Sequence, residues 1–210
     1  MKKSILILLS LLFLTGVSEG KEVTYLNDRN GIKYEVNSET PFTGKYVEYE
    51  NGMRFLESNY SDGKEVSWTS FFKNGQKSSE TVYGNNGSKS FTLFYETGQK
   101  KSENVFRDGK QNGIDIGWYD NGQKEWEINF KNGKKEGLST FWYKNGQKDS
   151  EGNYKNGRRE GLWSKWYENG KKDYDVTFKN GKEEGLVTYW DEEGNVTKTV
   201  RFKDGELVNP

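Results

Sequence analysis

Glycine recurs in this chain with a period that few folds can accommodate. One set, Gly52, Gly75, Gly98, Gly122, Gly146, Gly170 and Gly194, is spaced by 23 residues twice and then by 24. A second set, Gly63, Gly87, Gly109, Gly133, Gly157, Gly181 and Gly205, falls between its members. The chain holds eleven Asn-Gly and three Asp-Gly dipeptides. A helix does not tolerate glycine at such intervals, whereas Asn-Gly supplies the two positive φ angles of a type I′ hairpin turn. A fixed period of this length marks a repeat architecture. The expectation is seven units of about 24 residues from near Thr40 to Gly205, each a β-hairpin. The fold class is therefore all-β: a meander of antiparallel hairpins in one long twisted sheet, mostly a single layer thick. About 14 strands at ~4.8 Å spacing would make it roughly 65 Å long.

A clean unit is "EGLSTFWYKNGQKDSEGNYKNGRR", Glu136 to Arg159. If Asn and Gly are the turn centre, the residue two before Asn opposes the residue two after Gly. That pairs Tyr49, Phe72, Tyr95, Tyr119, Tyr143, Tyr167 and Asp191 with Arg54, Lys77, Lys100, Lys124, Lys148, Lys172 and Val196. Six of these pairs set a cation beside a ring. The same face carries Tyr60, Tyr83, Phe106, Phe130, Tyr154, Phe178 and Phe202, with Gly113, Gly137, Gly161 and Gly185 opposite the last-named rings in the later units. A ring lying over a strand glycine would cover exposed backbone. The other face receives Phe71, Phe94, Trp118, Trp142, Trp166 and Trp190, the aliphatics Ile114, Leu138, Leu162 and Leu186, and the acidic column Glu57, Glu80, Glu103, Glu127, Glu151 and Asp175. Both faces mix rings with charges, so neither reads as wholly buried. The first and last units lose columns, as capping repeats do.

Composition narrows the function. The opening "MKKSILILLSLLFLTGVSEG" has a basic start, an apolar run from Ile5 to Leu14 and small residues at Ser18 and Gly20. It reads as a secretory signal peptide over residues 1–20; the alternative is an uncleaved N-terminal anchor. Cleavage would leave 30 basic and 31 acidic residues, after removing Lys2, Lys3 and Glu19 from 32 of each. That balance argues against nucleic-acid binding. No cysteine is present, so neither disulfides nor a lipoprotein anchor is expected. Residues 21–39, with Asn30-Gly31, read as a capping hairpin, and residues 40–210 as the repeat domain. Histidine is also absent, which removes His-based nucleophilic triads and His or Cys zinc sites. A catalytic carboxylate pair should be singular, whereas the acidic residues recur in register. No enzyme activity, cofactor or metal is expected.

The pattern "EGLxxxWYxNGQKxxExxFKNGK" resembles the bacterial MORN repeat variant, and the opening "LNDRNGIKYEVNSETPFTG" looks like the start of YwqK-type proteins built from it. The resemblance covers about Val23 to Gly205. It implies an antitoxin- or immunity-type protein partner, although an exported copy would meet that partner outside the cytoplasm. The reading is a non-catalytic exported scaffold, periplasmic, surface-bound or secreted. It is expected to be a monomer that can associate end to end through its edge strands. Its candidate binding surface is Trp118, Trp142, Trp166 and Trp190, with Tyr119, Tyr143 and Tyr167 and with Lys124, Lys148 and Lys172. The alternatives for the same columns are envelope glycan stacked on the rings and anionic lipid held by the lysines.

Overall fold

The computed structural model describes residues 21–208. The signal peptide read from residues 1–20 lies outside them. Within the described residues every regular element is a β-strand, and 18 strands form one sheet. From Gly44–Glu50 to Glu206–Val208 successive strands pair antiparallel, and the short strands Lys110–Gln111 and Lys182–Glu183 each pair back with the strand before them. The hairpin meander is therefore as expected. At its first edge Glu22–Val23 adds a short parallel strand on Gly44–Glu50. Asn27–Arg29 and Ile32–Tyr34 form a separate two-stranded hairpin around Asn30-Gly31.

The two turns of each unit differ, and this corrects the expected pairing. At Asn132-Gly133, Asn156-Gly157 and Asn180-Gly181 both residues have positive φ, as a two-residue type I′ turn requires. At Asn121, Asn145 and Asn169 only the following glycine does. There the Gly170 amide donates to the Tyr167 carbonyl at 2.9 Å, and the Tyr167 amide to the Lys171 carbonyl at 2.8 Å. This is a three-residue loop, a type I turn closed by a left-handed glycine. The odd loop moves the pairing by one residue, so Lys172 faces Trp166 and not Tyr167. A bulge between Lys165 and Trp166 then restores the register, and Gly161 faces Phe178 as expected. The same substitution of partner holds for Trp118 with Lys124 and Trp142 with Lys148. Only in the first unit, where Asn51-Gly52 is type I′, does the tyrosine pair hold, Tyr49 with Arg54.

One face is more buried than the mixed pattern suggests. Trp163, Val176, Phe178 and Val187 are 2–8 % exposed and form a core flanked by Phe141, Tyr154, Tyr174 and Phe202. Trp163 meets Tyr154 and Phe178 edge-on, with centroids at 5.1 and 6.4 Å. Gly152 lies directly beneath the Trp163 indole and Gly117 beneath Trp126. Ring-over-glycine packing thus occurs, but at different glycines from those expected. Gly137, Gly161 and Gly185 have open space where a side chain would start. They are glycine because their φ values are +85°, +74° and +86°, and Gly137 and Gly161 lie where the pairing with the neighbouring strand slips.

Both rims of the sheet are stitched between units. On one rim the Tyr95, Tyr119, Tyr143 and Tyr167 hydroxyls donate to the carbonyls of Trp118, Trp142, Trp166 and Trp190 at 2.7–2.8 Å. Asn145 Nδ2 donates to the Glu168 carbonyl, while its Oδ1 accepts from the Gln147 amide. On the other rim the Gly157 amide donates to the Lys135 carbonyl, and Glu136 accepts from the Asn156 amide at 2.7 Å. Glu160 and Glu184 do the same for Asn180 and Asp204. These bonds explain why the unit begins with Glu and contains Tyr and Asn at its first turn.

Candidate protein-binding face

The face opposite the core is built from short columns. Along Lys134–Trp142 it receives Leu138, Thr140 and Trp142, and along Arg158–Trp166 it receives Leu162, Ser164 and Trp166. The returning strands place Asn153, Glu151 and Lys148, then Thr177, Asp175 and Lys172, opposite them.

The lysines and acidic residues satisfy each other. Lys124 pairs with Glu127 at 2.5 Å and Lys148 with Glu151 at 2.8 Å, and Lys172 pairs with Asp175. The bulge makes this possible, because it turns each lysine to the acidic face. Hydroxyls that are almost fully buried complete the network: Thr140 donates to Glu151 at 3.1 Å and Ser164 to Asp175 at 2.6 Å. Each lysine also lies over the tryptophan of the following unit. Lys100, Lys124, Lys148 and Lys172 sit 6.0, 5.6, 5.2 and 5.6 Å from the ring centres of Trp118, Trp142, Trp166 and Trp190. The cation–π contacts therefore join neighbouring units and do not lie within a hairpin.

Of the surface expected from sequence, the tryptophans and the lysines share this face, and the tyrosines do not. Tyr119 and Tyr143 are committed to the rim, where burial pushes their hydroxyls above the ordinary phenol value. The tryptophans are half-buried, each with one ammonium over its ring. What the face leaves free is the aliphatic row. Ile114, Leu138, Leu162 and Leu186 are 47, 47, 55 and 54 % exposed. They follow one another across six strand spacings, roughly 30 Å at 4.8 Å each. The sequence places these four on the correct face, but among rings and charges that do not mark them out. Their signal was the repetition of an aliphatic at a position whose neighbours are charged.

Carboxylates of the acidic column are held by a cation three residues earlier in six units, Arg54 in the first and a lysine in the others. Among the described residues no group of His, Cys, Asp and Glu could hold a metal ion. The geometry offers a long surface with an apolar stripe beside paired charges.

No curated protein matches this chain. Three consecutive stretches, residues 135–156, 159–180 and 183–204, match the family model described as MORN repeat variant, so the units that carry the aliphatic row at Leu138, Leu162 and Leu186 are similar to that repeat.

Proposed function

We propose that this chain is a non-catalytic exported scaffold that binds another protein across the Trp/Leu face. The single observation behind the proposal is the exposed aliphatic row. An apolar stripe left about half exposed over four units has a cost in water, and such stripes mark interaction surfaces. A face roughly 30 Å by 20 Å at this strand spacing approaches the ~800 Å² per partner of a standard protein interface. The neutral ion-pair lattice beside it supplies a polar rim. The pairing is of the antitoxin or immunity type, as the likeness to YwqK-type bacterial proteins suggests, and the partner is met in the periplasm, at the cell surface or outside the cell.

The glycan and lipid alternatives gain less support. The ring faces that sugars would stack on already carry lysines, and those lysines are neutralised by Glu127, Glu151 and Asp175. The test is affinity capture from the producing cell's envelope fraction with the native chain and with a Leu138→Glu, Leu162→Glu variant. One stoichiometric partner lost on substitution is the expected result. Capture that survives the substitutions, or no specific partner, defeats the proposal.

A further inference from the structure

At one place a second layer lies over the sheet. The N-terminal segment folds back onto the core-side face of the first unit and is pinned there by the backbone. The Lys33 amide donates to the Gly63 carbonyl at 2.9 Å, the Phe42 amide to the Lys33 carbonyl at 2.8 Å, and the Gly63 amide to the Phe42 carbonyl at 2.7 Å. Phe42 is 3 % exposed and packs on Tyr60 at 6.0 Å. Between this segment and the sheet is a cavity of about 300 Å³. Tyr25 and Lys33 come from the overlying segment, and Tyr46, Glu48, Tyr60 and Glu65 come from the sheet.

The register explains their convergence. Tyr46 and Glu48 alternate on one strand face, opposite Ser58 and Leu56, and Tyr60 faces Glu65 on the next strand. Three phenol rings line the cavity, and the Tyr46 hydroxyl donates to Glu48 at 3.0 Å. The Glu48 and Glu65 carboxylates make no ion pair among the described residues. By contrast the acidic residues of the repeat column, such as Glu57 and Glu151, each hold a cation. Lys33, the one cation at the wall, is paired with Asp28 at 3.1 Å. The cavity is thus aromatic and acidic, with its own positive charge already satisfied. Unlike the ladders, it is singular: it needs the non-repeating N-terminal segment and cannot recur along the sheet.

We propose that this cavity binds an organic cation of the alkylated ammonium class. Rings and two carboxylates around a small volume suit a diffuse positive charge with an apolar shell, which cation–π contact and long-range attraction stabilise together. A metal ion would need a closer set of oxygen ligands. Burial, and next the Glu65 charge, raise the Tyr60 hydroxyl to about 12, and burial also raises that of Tyr46.

The test is calorimetric titration of the full chain with choline and with tetramethylammonium, beside the uncharged carbon isostere of choline, dimethylbutanol. Saturable one-to-one binding of both ammonium probes, at least tenfold tighter than the alcohol, is expected. Glu65→Gln and Glu48→Gln should each weaken it about fivefold, and Tyr46→Leu about tenfold, with unchanged circular dichroism. The Gln variants preserve shape, so they report on charge even if Tyr46→Leu fails to fold. Absence of saturable binding by either ammonium overturns the proposal. So does equal binding of the alcohol, or indifference to both Gln substitutions.

Discussion

Gly152→Ala is the sharpest test of how this thin sheet is held together. Gly152 has an ordinary backbone conformation, so alanine is not excluded by φ. It is excluded by Trp163, whose indole occupies the space a Cβ would need. The ring cannot simply yield, because it is 4 % exposed and fixed edge-on between Tyr154 and Phe178. Overpacking of this kind costs about 1–3 kcal/mol, and disturbing two aromatic pairs adds roughly 0.5–1.5 kcal/mol each. A total near 3 kcal/mol is expected. Gly137→Ala is the matched control. It meets nothing within 4 Å but has φ +85°, so only left-handed strain of about 1–2 kcal/mol applies. Equilibrium urea unfolding, followed by far-UV circular dichroism, measures both. In a Trp163→Leu background the penalty of Gly152→Ala should largely vanish, since contacting residues couple. A Gly152→Ala cost below that of Gly137→Ala, or one unchanged by Trp163→Leu, would refute the reasoning.

The two turn classes predict opposite responses to one substitution. Asn156→Gly should be nearly neutral because that asparagine is needed only for positive φ and a lone backbone amide, while Asn145→Gly should cost about 1 kcal/mol through its two lost hydrogen bonds; comparative urea midpoints decide. Tyr143→Phe removes the donor to the Trp166 carbonyl and should cost about 1 kcal/mol, read from the same titration. Alkaline pH should loosen the first unit. The folded Tyr60 hydroxyl, raised by burial to about 12 from an ordinary 10.0, contributes stability that is fully present below 10.0 and lost as pH rises towards 12. Tyr60→Phe should flatten that loss, as followed by tyrosinate absorbance and circular dichroism.

The meander, the unit length and the face taken by the tryptophans and the aliphatic row were legible in the sequence, because glycine spacing and strand alternation are local properties. The turn geometry was not. Lys144-Asn145-Gly146 and Lys155-Asn156-Gly157 are the same tripeptide, yet Asn156 has φ +53° and Asn145 does not adopt positive φ. Neighbouring units decide between them, through the Tyr143 and Asn145 bonds to the next turn in one case and the Glu136 bond to the Asn156 amide in the other. The one-residue bulge that follows the three-residue loop hid itself from the sequence reading. It returns Gly161 to Phe178 while moving Lys172 from Tyr167 to Trp166. The candidate surface shifted accordingly. Residues that stand out by type, Tyr and Lys, are used internally, and the plain aliphatic row is what remains exposed. The N-terminal cavity could not be read from the repeat at all, since it forms where a non-repeating segment crosses the sheet.

Site-specific photo-crosslinking in the producing cells tests the central claim most directly. A photoreactive residue at Leu162, in the middle of the exposed row, should give one discrete adduct with another protein. The same residue at Glu168, exposed at a turn tip away from that face, should give none. Identical adducts at both positions, or no adduct at Leu162, would contradict the assignment of this face as the binding surface.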